Sequence, residues 1–343
     1  MRSLVITERG SPVAPHVRLM DGIPVPEPGR NELRVRTEAS ALNHLDLWVG
    51  RGLPGIETTY PFASGSDGCG IVDAVGEGVS PLWVGKRVLL NAAMLADQLE
   101  LPGSEPAGEE ITMIGEHVEG ANREYFTAPA RNVMEIGDGD PIEAVAIGLT
   151  HLTAWRMLTT RATARPGDWV LVTGIGGGVA LAARSLARHL GCKVIVTSRS
   201  PDKLERAKQL GVDATVLDDG SDWSRAVRTI TGRRGVDVVI DSIGSVAHLS
   251  CLKALARGGR LVTCGCTTGG SPPTDLTRVF WNQLSIVGST MGSMGELGEV
   301  VSLWRMGHIS PVIDSVVSPT EGSIAFARIE SGNQFGKVVI DWR

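Results

Sequence analysis

The feature that most constrains the fold of this chain is a glycine-rich turn between an apolar run and a helical pattern. Residues 169–173 read Trp-Val-Leu-Val-Thr, and residues 174–180 read Gly-Ile-Gly-Gly-Gly-Val-Ala. A continuous apolar run is typical of a parallel strand that helices cover on both faces. Glycines let the backbone turn sharply and let a pyrophosphate approach the amides at the start of a helix. The stretch therefore predicts the strand, loop and first helix of a dinucleotide-binding unit.

Two registers of the glycine motif fit this loop. Gly174-x-Gly176-x-x-Val179 lacks its third glycine, whereas Gly174-x-x-Gly177-x-x-Ala180 ends in a tolerated alanine. We favour the second register. A turn without a ligand is the alternative, because a single glycine motif is weak support. The loop residues predicted to bind the cofactor are Gly174, Gly177, Gly178 and Val179.

A second apolar strand, residues 193–198, ends at Ser198 and is followed by Arg199. NAD-binding folds usually place an acidic residue here to hold the ribose 2′-hydroxyl. A carboxylate would repel a 2′-phosphate, whereas a hydroxyl followed by a guanidinium would bind it. Ser200-Pro201 has the form of a helix N-cap with Pro at the first position, and Lys203 follows one turn later. We therefore predict NADP(H); the alternative is that Arg199 and Lys203 are solvated surface cations.

The length and composition of the chain indicate how many domains it has and which kinds of partner it lacks. A chain of 343 residues is long enough for two domains, and its net charge of −5, without long runs of one sign, favours neither a nucleic-acid nor a membrane-surface partner. The first residues lack the apolar core of a signal peptide and no apolar run approaches membrane-spanning length, so a cytoplasmic protein is expected. The five cysteines are irregularly spaced, which predicts buried, reduced thiols rather than a zinc site.

The pattern of apolar runs and turns in the sequence changes twice along the chain. Residues 1–140 contain short apolar or alternating runs between Pro and Gly turns, which predicts a β-rich domain. Residues 141–291 alternate helices with six apolar strands, which predicts a doubly wound parallel sheet and an α/β fold class. Residues 292–343 resemble the first 140 residues in pattern, with a capping box at Ser318 and a last strand at 336–342. They are expected to fold back onto the first domain.

Smaller elements can be placed within this outline. A short helix is predicted around residues 43–51, a possible helix at 92–100 and a loop at 102–110. The fourth strand of the parallel sheet ends at Asp241, shortly before Gly244, and the fifth ends at Gly265. Because ligands bind at the carboxyl ends of such strands, both glycines are predicted to border the cofactor crevice.

Several stretches together resemble the medium-chain dehydrogenase/reductase superfamily. They are residues 41–52, residues 65–76, Thr153-Ala-Trp, the glycine loop and Phe335-Gly-Lys-Val-Val-Ile. The resemblance implies a chaperonin-10-like (GroES-like) catalytic domain of residues 1–140 and 292–343 with a Rossmann NADP-binding domain of residues 141–291. It is greatest to the quinone-oxidoreductase and zinc-type alcohol-dehydrogenase-like subgroup, and it implies that Thr153 touches the nicotinamide side of the cofactor.

The sequence departs from the family pattern at the positions that bind zinc in the metal-dependent branch. In the metal-dependent branch a Cys stands where Asn43 is, and a His followed by an acid stands where Ser66-Asp67 is. Asn43 and Ser66 are poor zinc ligands, and the hydroxyl that relays the proton would lie where Leu45 is. The four cysteines that hold the family's structural zinc are missing, because residues 92–122 contain no cysteine. The resemblance therefore implies a protein without zinc, in which Ser66 and Asp67 form the wall of the former metal site.

The expected chemistry follows from the missing Lewis acid. Oxidising an alcohol without a metal is difficult, because nothing lowers the pKa of the proton that must leave. A quinone or an α,β-unsaturated carbonyl accepts a hydride at carbon and needs only a hydrogen-bond donor at oxygen and a later proton. We therefore predict an NADPH-dependent, zinc-independent reductase of such small molecules. The alternatives are an alcohol or aldehyde dehydrogenase that recruits metal through His44, Asp46 or His117, and a non-enzymatic NADPH sensor.

Four polar residues are candidates for the catalytic site. Asn43 is predicted to donate a hydrogen bond through its amide to the substrate or the nicotinamide ribose. His44 and His117 are candidates for proton transfer, although an isolated histidine is more often structural. Asp46 fits a helix cap or a hydrogen-bond anchor better than an acid.

The apolar stretch Ser285–Thr290 predicts one edge of the Rossmann sheet. An exposed apolar edge pairs with other chains unless it is covered. Members of the family cover it by dimerising, so the resemblance implies a homodimer through this edge.

Overall fold

The computed structural model describes residues 1–94 and 111–343. They fall into two compact units. The first unit comprises Met1–Leu149, Ser293–Arg305 and Ser310–Arg343, and the second comprises Thr150–Gly292 and Met306–Ile309. No helix in these described ranges is long and apolar enough to cross a membrane.

The helices and strands follow the predicted alternation. The part before residue 140 contains β1 (Ser3–Ile6), β2 (Val17–Met20), β3 (Glu32–Ala41), α1 (His44–Arg51), β4 (Gly68–Val75), β5 (Arg87–Leu90), β6 (Ala93–Met94), β7 (Thr112–Met113), β8 (Tyr125–Pro129) and β9 (Val133–Glu135). The middle part contains α2 (Pro141–Arg156), β10 (Trp169–Val172), α3 (Gly178–His189), β11 (Lys193–Ser198), α4 (Pro201–Gln209), β12 (Ala214–Leu217), α5 (Ser224–Ile230), β13 (Val236–Asp241), α6 (Ser245–Ala254), β14 (Leu255–Thr263), α7 (Leu276–Trp281) and β15 (Ser285–Gly288). The last part contains α8 (Met294–Arg305), β16 (Ile313–Val317), α9 (Gly322–Glu330) and β17 (Lys337–Asp341).

The second unit is built on a six-stranded sheet in the order β12-β11-β10-β13-β14-β15, with every neighbouring pair parallel. Crossover connections therefore leave in opposite directions from β10 and β13, which makes the carboxyl ends of these two strands the crevice of the sheet. The apolar side chains of Val170, Leu171 and Val172 are completely buried, as a strand covered on both faces requires. The predicted doubly wound parallel sheet is confirmed.

The first unit is built on a mixed sheet in the order β16-β17-β3-β4-β5-β9, with β8 also paired to β3. The C-terminal strand β17 runs antiparallel to β3, with Val339 opposite Ala41. Helix α9 packs with the N-terminal strands in one apolar core that includes Leu4, Phe326 and Trp342. The tail of the chain thus completes the β-rich unit that the first residues begin, and the predicted GroES-like plus Rossmann architecture is confirmed.

Several details differ from the sequence prediction. Residues 93–94 form a strand paired with β7, so the helix predicted from residue 92 is wrong at its start; its remainder and the loop predicted at 102–110 lie outside the described residues. The sequence also predicts a helix over residues 246–256, but α6 ends at Ala254 and β14 begins at Leu255, with an irregular register against β13. All five cysteines are free, but Cys266 is exposed, contrary to the prediction of buried thiols.

Candidate functional site

The glycine loop after β10 forms an open cradle at the carboxyl edge of the parallel sheet. Gly174 and Gly176 have φ angles of 64° and 126°, which side chains disfavour. The Ile175 amide donates to the Thr197 carbonyl (2.8 Å), which ties the loop to β11. Gly177 precedes the first turn of α3, and a Cβ atom there would meet no atom closer than the Gly174 carbonyl oxygen at 4.0 Å.

This open space leaves room for an anionic group beside the loop. The four predicted loop residues, Gly174, Gly177, Gly178 and Val179, are partly exposed, whereas Ala180 is buried against the core. The first amides of α3 have no partner within their own helix, so they are available to an anion. The loop therefore fits the diphosphate of a nicotinamide dinucleotide, and Gly177 has open space beside it.

The end of β11 carries the residues predicted to read the ribose. Ser198 is 6% exposed, and its hydroxyl oxygen accepts a hydrogen bond from the Ser200 amide (3.1 Å), which leaves the hydroxyl hydrogen available. Ser200 caps α4 by accepting from the Lys203 amide (3.3 Å), with Pro201 at the first helical position as predicted. Arg199 is exposed.

Lys203 extends from the first turn of α4 over the glycine loop. A Cβ atom on Gly176 would lie 2.8 Å from Lys203 Cδ and 3.1 Å from Nζ. The ammonium group is therefore beside the loop that would hold the diphosphate, while Arg199 remains at the end of β11. The two cations are close in sequence but lie at different places, Lys203 beside the glycine loop and Arg199 at the end of β11.

Two further predicted glycines lie at the carboxyl ends of β13 and β14. Asp241 accepts hydrogen bonds from the Thr173 hydroxyl (2.6 Å) and the Gly244 amide (3.0 Å), and burial raises the pKa of its carboxyl group. The Gly265 carbonyl accepts from the Thr263 hydroxyl (3.1 Å). These contacts fix the loops that border the crevice.

Thr153 has a different setting from the crevice glycines. It lies in α2 and is 4% exposed, and its hydroxyl is 3.9 Å from the Met291 sulfur within the second unit. These contacts do not involve the glycine loop, and its assignment to the nicotinamide side remains a prediction.

The first unit contains a buried charged cluster that the sequence analysis missed. Lys337, on β17, is 4% exposed, and its ammonium donates to the Leu42 carbonyl (2.9 Å), Asn43 Oδ1 (2.7 Å) and Asp67 Oδ2 (2.9 Å). Asp67 is fully buried, and its other oxygen accepts from the Leu149 amide (2.6 Å). The sequence signal was a single lysine in the otherwise apolar run that follows Gly336, since a buried cation needs a partner.

This cluster includes Asn43. The Asn43 amide group donates to Asp67 Oδ2 (2.9 Å) and, at longer range, to the Ala41 carbonyl (3.4 Å). Both amide hydrogens are therefore engaged inside the protein. In this arrangement Asn43 links Lys337 to Asp67, and its donation to a substrate or to the nicotinamide ribose stays a prediction.

Asp46 anchors the start of α1. Its carboxylate accepts from the Asn43 backbone amide (2.7 Å) and, at 3.4 Å, from the Asn122 side chain. Burial raises the pKa of Asp46 to about 6, although hydrogen bonds from Ser64 and from the Asn43 amide act in the opposite direction. The structure places Asp46 as the predicted hydrogen-bond anchor rather than as an exposed acid.

The two candidate histidines differ in their surroundings. His44, the first residue of α1, is partly exposed, and its pKa is lowered by burial and by the positive charges of Arg51 and Lys337. Nδ1 of His117 accepts a hydrogen bond from the Met113 amide (3.1 Å), so that the neutral ring carries its proton on Nε2. His44 and His117 stay candidates for proton transfer.

The loop that carries His117 packs on the segment that precedes β4. A Cβ atom on Gly120 would lie 2.2 Å from the Gly65 carbonyl oxygen, and one on Gly115 would lie 2.9 Å from the Ser66 nitrogen. Asn43, His44 and Asp46 come together at the start of α1, and Asp67 joins them to the Ser66 segment. A separate recess of about 480 Å³ is lined by Ile136, Trp304 and Arg305 among others and by none of the predicted site residues.

Comparison with known proteins identifies the family. Residues 29–138 match the alcohol dehydrogenase GroES-like domain, and residues 178–305 match the zinc-binding dehydrogenase domain. A zinc-type alcohol dehydrogenase-like protein, YogA, of Leptosphaeria maculans is 32% identical over 92% of this chain and 92% of its own length. A quinone oxidoreductase of Rattus norvegicus is 27% identical over 99% of this chain and 97% of its own length.

A solved structure agrees with both matches. The crystal structure of an NAD-dependent alcohol dehydrogenase is 38% identical, covers 100% of both chains and superposes with a TM-score of 0.92. The resemblance that the sequence motifs indicated is confirmed. The chain belongs to the medium-chain dehydrogenase/reductase superfamily of oxidoreductases, in the subgroup of zinc-type alcohol-dehydrogenase-like proteins and quinone oxidoreductases.

Proposed function

We propose that the protein is an NADP(H)-dependent, zinc-independent oxidoreductase that transfers a hydride to a quinone or an α,β-unsaturated carbonyl compound. The main support for this proposal is the position of the Lys337 ammonium group, whose Nζ atom lies 2.7 Å from Asn43 Oδ1. A zinc ion bound at Asn43 would sit against this buried positive charge. The described ranges 1–94 and 111–343 also contain no group of three His, Cys, Asp or Glu side chains arranged to hold a metal.

The acceptor class follows from the charge balance of the cluster. Lys337 and Asp67 neutralise each other, so the first unit offers hydrogen bonds and polarised groups rather than a strong Lewis acid. Acceptors that are already electron-poor at carbon need no more than this. When bound, NADPH supplies the hydride, and the residues of this chain bind, orient and exchange protons: the glycine loop holds the diphosphate and His44 or His117 exchanges a proton.

The choice of NADPH over NADH rests on the end of β11. Ser198 keeps a hydroxyl hydrogen and Arg199 is an exposed cation, whereas an NAD-specific site would place a carboxylate there. A guanidinium binds a phosphate with bidentate geometry. We therefore propose that Ser198 and Arg199 contact the 2′-phosphate.

Oxidation of NADPH and of NADH by chelator-treated protein tests the function. We expect turnover with 1,4-benzoquinone and with a set of enones, a preference for NADPH, and no loss after EDTA treatment. Turnover that disappears with EDTA and returns with zinc would contradict the metal-free mechanism. Tight NADPH binding without turnover on any acceptor would indicate a sensor instead of an enzyme.

A second function, alcohol or aldehyde dehydrogenase, is favoured by the similarity to a solved NAD-dependent alcohol dehydrogenase at 38% identity. The two functions differ in whether they require a zinc ion and in the direction of hydride transfer. Stoichiometric zinc in the purified protein, together with oxidation of simple alcohols by NAD⁺, would support the second function. Absence of zinc, with reduction of conjugated acceptors only, would support the first.

We also propose a homodimer through the edge strand β15. Within the part of the chain that the structure describes, this strand pairs only with β14, and Ile286 is 43% exposed. The preceding helix α7 exposes Phe280 (66%) and Trp281 (70%). An apolar edge can pair antiparallel with the same edge of a second copy, which satisfies its free backbone groups and covers these side chains.

The oligomeric state of Ile286→Lys tests the dimer. Because a lysine would repel its counterpart at a paired edge, we expect monomers by sedimentation or light scattering while the wild type is dimeric. Val246→Lys, at an exposed apolar residue of α6, is the matched control and should leave the dimer intact. A dimeric Ile286→Lys protein would place the interface elsewhere.

A further inference from the structure

Ser66 carries a buried hydroxyl group that has no hydrogen-bond partner among residues 1–94 and 111–343. The residue is 1% exposed. A buried hydroxyl without a partner is unfavourable, and native proteins retain few of them. A nearby serine, Ser64, is equally buried, but its hydroxyl oxygen accepts from the Asn122 side chain (3.2 Å). The difference between these two serines requires an explanation.

The polar groups of the Lys337 cluster bond to one another and not to the Ser66 hydroxyl. Asp67 already accepts from Leu149, Lys337 and Asn43, with its two oxygens shared among them. The three hydrogens of the Lys337 ammonium have three acceptors, and both amide hydrogens of Asn43 are engaged. The donors of the cluster are thus used within it, and the Ser66 hydroxyl is left for a partner that the described residues of the cluster do not supply.

The backbone around Ser66 is held firmly. Gly65 has a φ angle of 112°, and a Cβ atom on this residue would lie 2.7 Å from the Asn122 nitrogen. The Ala121 amide donates to the Gly65 carbonyl (2.8 Å), and the Ala41 amide donates to the Asp67 carbonyl (3.3 Å). A hydroxyl on such a fixed backbone is preorganised, which is what stabilisation of a developing charge requires.

We propose that the Ser66 hydroxyl donates a hydrogen bond to the acceptor's carbonyl oxygen, on which negative charge develops during reduction. The proposal rests on the proposed function and adds a catalytic residue to it. The hydride, with its electron pair, leaves NADPH and forms a bond to the conjugated carbon. The π electrons move toward the carbonyl oxygen, NADPH becomes NADP⁺, and a proton from His44 or His117, replaced from solvent, completes the product. Ser66 keeps its own proton throughout.

This assignment gives Ser66 a larger role than the wall of a former metal site. The side chain stands where the metal-dependent branch of the family has a zinc ligand. A hydroxyl hydrogen bond there stabilises the same oxygen more weakly than a metal would. The substrate class is therefore restricted to compounds whose carbonyl is already conjugated or quinoid.

Paired serine variants test the proposal. Ser66→Ala should lower kcat for benzoquinone and enones by about 10²-fold, the usual effect of removing one such donor, with little change in KM. Because no protein hydrogen bond is lost, its Tm in the absence of ligand should equal or exceed that of the wild type. Ser64→Ala, the matched control, should lower Tm and keep wild-type kcat. Ser66→Thr, which retains the hydroxyl, should recover part of the lost kcat.

The outcomes separate this inference from the proposed function. A wild-type protein that reduces no quinone or enone would overturn the proposed function and the role of Ser66 with it. An active wild type with an equally active Ser66→Ala variant would overturn the role of Ser66 alone. A fall in Tm for Ser66→Ala as large as that for Ser64→Ala would also overturn it, because the hydroxyl would then be bonded within the protein.

Discussion

The cofactor loop of the second unit and the charged cluster of the first unit are built in opposite ways. The predicted cofactor contacts of the loop lie close together in the chain, between Gly174 and Lys203, and most of them are partly exposed. The cluster joins Lys337 to Asn43 across 294 residues and is buried. A site made by one local turn depends on backbone geometry. A site made by distant residues depends on the whole sheet and on its internal charge balance.

The largest expected effect comes from breaking the buried pair. Lys337→Met leaves the Asp67 carboxylate buried without its counter-charge, which should reduce the free energy of unfolding by about 3 to 5 kcal/mol. Urea denaturation at neutral pH measures the change. Lys208→Met is the matched control, because it breaks an exposed ion pair with Glu205 and should cost less than about 1 kcal/mol.

Removing both charges sharpens the same comparison. The double variant Lys337→Met, Asp67→Asn should be more stable than Lys337→Met alone, since no unpaired charge remains inside the first unit. Equal stability of the single and double variants, or a loss for Lys337→Met no larger than for Lys208→Met, would show that the ammonium does not neutralise Asp67 in solution.

The next effect concerns the pH dependence of stability in the first unit. Burial holds the pKa of Asp46 at about 6, above the ordinary value of 3.8, so the folded protein binds this proton more tightly than the unfolded chain does. The contribution of Asp46 is therefore most favourable below about pH 4 and is lost as pH rises to about 6, by up to about 3 kcal/mol.

Asp46→Asn removes this pH-dependent contribution to the free energy of unfolding. Denaturation of both proteins between pH 4 and 7 should show the variant gaining stability relative to the wild type as pH rises, whatever the constant cost of the substitution. Asp21→Asn, at an exposed site, controls for the loss of a carboxylate. Parallel pH profiles for wild type and Asp46→Asn would contradict the raised pKa.

The smallest effect is expected at the surface of the second unit. Arg199→Ala should reduce the preference for NADPH over NADH, measured as a ratio of kcat/KM values, by about tenfold, because one charge-assisted contact contributes about 1.5 kcal/mol or more. The fold should be unchanged, since Arg199 is exposed. Arg225→Ala, on α5, is the control cation and should leave the ratio as in the wild type. An unchanged ratio for Arg199→Ala would make Arg199 a solvated surface residue.

The sequence predicted the second unit better than the first for a physical reason. Parallel strands and phosphate-binding turns have local signatures, so β10, its glycine loop and the cap at Ser200 could all be placed from neighbouring residues. The error at β14, which begins at Leu255, arose because an irregular register leaves no periodic signal. Likewise the exposure of Cys266 depends on a loop whose course no local pattern fixes.

The candidate site of the first unit was predictable only in part. Motif resemblance brought attention to Asn43 and Asp67, but it could not show that their hydrogen bonds are shared with Lys337. That knowledge requires the pairing of β17 with β3, which is a contact between opposite ends of the chain. The sequence likewise could not show that the Ser66 hydroxyl has no hydrogen-bond partner among the described residues, because that depends on which groups the fold places around it.

The position of β17 has a consequence for biosynthesis. All six strands of the second unit have been synthesised once residue 288 has left the ribosome. The first unit begins earlier in the chain but must wait for residues 337–341 to fill the place beside β3 and to bring in the ammonium for Asp67. On an elongating chain the later unit can therefore fold first, and the earlier unit remains an open sheet until translation is nearly over.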